Sequence, residues 1–174
     1  MDVTALLARA RSALNKGIPY KDDGKGDSAL DVLPAAGVDC SGFVLWALRH
    51  DGPVMNTSMI VDDAQGRAKY FDPLPAGPRP GCLIVYPHYI AIVMGKEKEH
   101  YGHVGIVTDV VVQNGKPVVR SVIHCSGILQ GVRSALMPAS PADAILETGP
   151  LWFHSFPAIF VWPKSITSAG TTGP

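Results

Sequence analysis

Cysteine is scarce in this sequence, three in 174 residues. So odd and sparse a set excludes a disulfide framework as the source of the fold and leaves room for one bridge at most. Net charge is missing too, because fifteen basic residues cancel fifteen acidic ones. No bulk field therefore recruits nucleic acid or an anionic membrane. No apolar run approaches the roughly 18 residues of a membrane span. The opening MDVTALLARARSALNKG has an acid at position 2 and arginines at 9 and 11. An export signal would show a basic start and an unbroken apolar stretch, so none is expected.

What is present fits a single globular domain: 47% apolar and 17% charged residues, in a chain long enough to bury one core without metal or disulfide staples. Val3, Leu6, Leu7, Ala10 and Leu14 recur at helical spacing, and Gly17 stops the run. Residues 18–38, IPYKDDGKGDSALDVLPAAGV, read as a long loop, and loops of that length inside compact domains are often functional. A second helix starts at Cys40, with Asp39 as N-cap, Phe43, Val44, Ala47 and Leu48 on one face, and DGP at 51–53 as its end. Residues 53–80 read as loops with one short helix near 60–70. The segments 81–95, 101–126 and 157–163 are rich in Val and Ile and broken by Gly, Pro and Asn, as strands are. Asn114-Gly115 carries the signal of a tight hairpin. The expected fold is therefore α+β, helices packed on a mostly antiparallel sheet. One domain is expected over 1–164, with residues 165–174 as a disordered tail.

Cys40 is the residue that asks for chemistry. A sulfur at the first turn of a helix meets unsatisfied amides and roughly half a positive charge, which favours thiolate. Those amides also suit an oxyanion. The plainer reading, a buried structural thiol, is equally open on position alone. A nucleophilic cysteine needs a base, and six histidines are available: 50, 88, 100, 103, 124 and 154. His103 begins an apolar strand after Gly102, and His124 closes the partner strand of the same hairpin. A turn at Asn114-Gly115 brings the two close to opposite each other, as a base and its orienting group require.

The segments GIPY (17–20), DCSGFV (39–44), GHVGIV (102–107) and VIHCS (122–126) follow one another in this order. Together they resemble the NlpC-type cell-wall cysteine peptidases, a branch of the papain-like fold. The resemblance covers about residues 17–126, with FVWP near 160 as a closing strand. It implies Cys40 as nucleophile, His103 as general base and His124 as its orienting residue. Tyr20 is implied in the oxyanion site, and Ser41 is carried as a second oxyanion or substrate candidate beside its helix-capping role. The implied activity is hydrolysis of amide bonds in peptidoglycan stem peptides, typically between D-glutamate and the diamino acid, without metal or organic cofactor. Two departures stand out: Cys82 replaces the aspartate often found before the first core strand, and no arginine follows the nucleophile helix until Arg67. The bare DCSGFV and YGHV pattern is also similar to amidase effectors injected by type VI secretion systems. The expected location is the cytoplasm or, as that similarity implies, a periplasm or cell wall reached by a signal-less route, with an immunity protein as partner if the chain is a secreted effector.

Other readings compete. His100, His103, His124 and Cys125 invite a zinc site, but residues three apart on a strand face opposite sides and the CxxC spacing is absent. Cys82 and Cys125 are expected in the core or bridged to each other. An N-acetylmuramoyl-L-alanine amidase of the related Cys-His class, with Asn or Glu as third member, and a non-catalytic cell-wall binding domain are the alternatives. Phe43, Trp46 and Trp152 are expected in the core, although Tyr86, Tyr89, Tyr101 and Trp152 also suit a groove.

Overall fold

The computed structural model describes residues 1–93, 96–127, 144–150 and 157–167. The first helix, α1 (Val3–Ser12), is capped by Asp2 and buries Leu6 and Ala10. The loop that follows pairs briefly in parallel with the approach to Cys40, at Tyr20 and Val38. The second helix, α2 (Cys40–Ala47), is buried over its whole length, which suits a helix with apolar residues all round. Phe43 and Trp46 lie in the core as expected.

Among the described residues six antiparallel strands form the sheet, in the order β1-β8-β2-β5-β6-β7. These are β1 (Phe71–Pro73), β2 (Leu83–Tyr86), β5 (His103–Gln113), β6 (Lys116–Cys125), β7 (Ile145–Thr148) and β8 (Ile159–Pro163). The strands β3 (Tyr89–Val93) and β4 (Lys96–His100) make a separate two-stranded ribbon. The α+β expectation holds. Among the described residues no helix is long and apolar enough to cross a membrane.

Several boundaries differ from expectation. The short helix lies earlier, as α3 (Thr57–Asp62) running into a π-helical turn at Asp63–Arg67. The buried Asp63 carboxylate then accepts the backbone N–H groups of Lys69, Tyr70 and Phe71. Those three bonds turn the chain into β1, within a stretch read as loop. The charged run KEKEH also forms a strand, β4, because it pairs with the Ile-rich β3 in the ribbon. At the other end, residues 165–167 are docked: Ile166 is buried, and Thr167 N–H donates to the Met1 carbonyl at 3.0 Å. The part of the expected tail at 168–174, and the Trp152 reading, lie outside the described residues.

Candidate active site

The first turn of α2 is built by close backbone approach. Asp39 accepts Gly42 N–H at 2.6 Å and the Ser41 hydroxyl at 2.9 Å. The 24–26 loop crosses this turn so tightly that a Cβ on Gly42 would stand 2.3 Å from the Gly24 carbonyl oxygen. The crossing sets the Lys25 ammonium against the Asp39 carboxylate and 3.1 Å from Ser41 Oγ. Ser41, carried as an oxyanion or substrate candidate, thus has its hydroxyl engaged by Asp39 and Lys25.

Cys40 is 6% exposed and lines a cavity of about 780 Å³. Tyr20, Tyr86, Tyr101, His103 and the start of α3 (Asn56, Thr57, Ser58) line it as well. Burial first, then the Asp39 charge, pushes the Cys40 thiol up to about 11, against the amides of Val104 and Ser41 and the Lys25 charge. The expected thiolate-favouring effect of the helix end is therefore outweighed, because desolvation penalises a buried anion. Cys82 and Cys125 are also buried and free. Cys125 S–H donates to the Val38 carbonyl, and neither thiol lines the cavity.

His103 starts β5, and its Nε2 lies 2.8 Å from Nδ1 of His124. The rings meet edge to face, with centroids 5.0 Å apart. They lie close together as expected, but not directly opposite: His124 stands opposite Gly105. With Asn114 and Gly115 as the turn's central residues, Gln113 pairs with Lys116, two residues off the expected register. His103 and His124 share a sheet face as diagonal neighbours, still within reach of ring side chains. Gly105 makes the contact feasible, because a Cβ there would lie 2.4 Å from Val122 Cγ1 and 3.2 Å from His124 Cβ. Burial, then the neighbouring His124, lowers the His103 pKa. Burial lowers that of His124, 1% exposed, to about 4. Both imidazoles are neutral at pH 7. On its far side His124 Nε2 lies 3.1 Å from the Thr148 hydroxyl.

Tyr20 packs its ring where a Cβ on Gly127 would fall 2.7 Å away. Burial first, then charge on Cys40, raises its pKa, so the phenol remains a proton donor. Tyr101 is 75% exposed at the rim, where it donates to Glu99, itself 2.8 Å from His88 Nε2. Tyr89 instead stacks on His100 in the ribbon. Among the described residues no three His, Cys, Asp or Glu side chains group as metal ligands. Arg67 is exposed and does not line the cavity; the lysine in its wall is Lys25, beside Asp22, Asp23, Asp39 and Glu99. Sequence reasoning missed Lys25, Gly105 and Thr148. Only the glycines flanking Lys25 hinted at a close crossing.

A helix-borne cysteine and a strand-borne histidine sharing one cavity over an antiparallel sheet describe the papain-like class of thiol hydrolases. A family model for the CHAP domain, the cysteine/histidine-dependent amidohydrolases and peptidases, matches residues 32–122, and the chain belongs to that family. The match spans just over half of the chain, includes Cys40 and His103, and ends two residues before His124. No curated protein matches the chain. The broad expectation of a papain-like hydrolase directed at peptidoglycan is met.

Proposed function

We propose that this protein hydrolyses the D-glutamyl–diaminopimelate bond of peptidoglycan stem peptides, with Cys40 as nucleophile, His103 as general base and His124 orienting it. The observation that carries this reading is the joint placement of Cys40 and His103 on one cavity, with His124 2.8 Å behind His103. Thiol and imidazole are neutral at rest, so proton transfer accompanies attack. The Cys40 sulfur bonds to the carbonyl carbon as its proton passes to His103, and the oxyanion is held by the Cys40 amide and the Tyr20 hydroxyl. Collapse breaks the C–N bond, and His103 returns the proton to the leaving amine. Water then attacks the thioester, giving a proton to His103. The C–S bond breaks, the acid leaves, and that proton restores the thiol.

His124 as third member favours the NlpC-type endopeptidase reading over the muramoyl-alanine amidase, whose class uses Asn or Glu there. In the narrower form of the reading the chain is an injected antibacterial effector with an immunity partner, supported by the likeness of its DCSGFV and YGHV segments to such enzymes. Cys40→Ala is expected to abolish hydrolysis of purified peptidoglycan with the circular dichroism spectrum unchanged; a fully active variant would refute the scheme. Mass spectrometry of the fragments separates the two bonds: new diaminopimelate amino termini support the endopeptidase, and free lactyl ends the amidase.

A further inference from the structure

Behind the histidine pair a third group completes a chain of hydrogen bonds. Thr148 ends β7, and its hydroxyl lies 3.1 Å from His124 Nε2 and 3.1 Å from the Gly149 carbonyl oxygen. A carbonyl oxygen can only accept, so the single hydroxyl proton of Thr148 goes to Gly149. Toward His124 the same hydroxyl must then accept, and the proton it accepts is the one on Nε2. A neutral imidazole carries one N–H, so His124 Nδ1 presents a lone pair. That lone pair faces His103 Nε2 at 2.8 Å and requires the His103 proton to sit there. The basic nitrogen of His103 is consequently Nδ1.

We propose that Thr148 is a positioning residue of the site: through His124 it dictates the tautomer of His103 and so leaves Nδ1 as the nitrogen that takes the thiol proton. The assignment rests on the reading of His103 as general base. A valine at 148 has nearly the same shape and suits a strand, but it cannot accept from Nε2. His124 then has no hydroxyl to hold its proton on Nε2, and the wrong tautomer of the pair becomes populated.

The test compares Thr148→Val with Thr148→Ser in the full chain. Long-range proton–nitrogen NMR at neutral pH reads the tautomers directly. The expected wild-type pattern has Nε2–H on both rings. Thr148→Val should add Nδ1–H signal on His124 and lower kcat by about tenfold, as loss of one hydrogen bond implies, with KM nearly unchanged. Thr148→Ser should restore both. An unchanged imidazole pattern in Thr148→Val overturns the proposal, and a changed pattern with undiminished kcat overturns its catalytic part. Serine failing as badly as valine would place the effect in packing. If Cys40→Ala instead proves fully active, the proposed function falls, whereas the NMR pattern still reports on Thr148.

Discussion

The two walls of the cavity solve opposite electrostatic problems. On the helix wall, Cys40 sits beside the Asp39 side chain, and the Lys25 ammonium is placed against that carboxylate. On the strand wall, His103 and His124 are uncharged, and hydrogen bonds link them to Thr148. The helix wall holds two opposite charges against each other; the strand wall holds two buried rings linked by hydrogen bonds. The difference teaches that burial works against both ions of a thiolate–imidazolium pair here.

The comparison breaks most visibly at the base. His103→Ala should cut turnover by roughly 10²- to 10⁴-fold, the usual worth of a general base. In the proposed scheme His124→Ala should cost less, because there its ring orients the base and does not take the thiol proton. A reversed order in steady-state assays would mean the two roles are exchanged. The next largest effect is structural. In Gly105→Ala the new methyl would collide with Val122 and press on His124, an overpacking cost of about 1–3 kcal/mol. Both turnover and the denaturation midpoint should fall, and a variant matching wild type in both would show that the histidine contact tolerates more room.

A sharper probe addresses the helix wall alone. Lys25→Met leaves Asp39 unpaired beside the sulfur, so alkylation of Cys40 at neutral pH should slow by about tenfold and its pH profile move to alkaline values. Asp39→Asn in the same chain should remove most of that effect, since it keeps a good helix cap without the charge. Equal slowing in both backgrounds would assign Lys25 a packing role only. The last probe returns to the strand wall. His124 has a folded pKa of about 4 against an ordinary value of about 6.5. Below 6.5 the unfolded chain binds the proton more readily, so the stability from this group is complete above that pH and lost as pH falls toward 4. Calorimetry from pH 7 to 4 should show a shallower loss for His124→Asn; parallel curves would refute the assignment.

Much of this arrangement was legible beforehand for local reasons. The Asp39 cap, the start of α2 at Cys40 and the Asn114-Gly115 hairpin depend on neighbours in the chain, and each formed as its residues predict. β1 and β4 were missed because their strand character comes from partners, β8 and β3, and not from their own composition. Lys25 was missed for the same reason. Its neighbour Asp39 is fourteen positions away, brought close by a loop crossing that no periodicity encodes.

By itself the sequence determined the inventory: one thiol at a helix start, two histidines on the arms of one hairpin, glycines wherever backbones must approach. Helix caps, hairpin turns and alternation are short-range physics, readable from adjacent residues. Tertiary structure alone decided the register that places Gly105, not His103, across from His124, and the burial that holds thiol and imidazole neutral. It also brought in Lys25 on one wall and Thr148 on the other. Those features depend on which distant segments share a low-dielectric space, and only the packed fold brings those segments together.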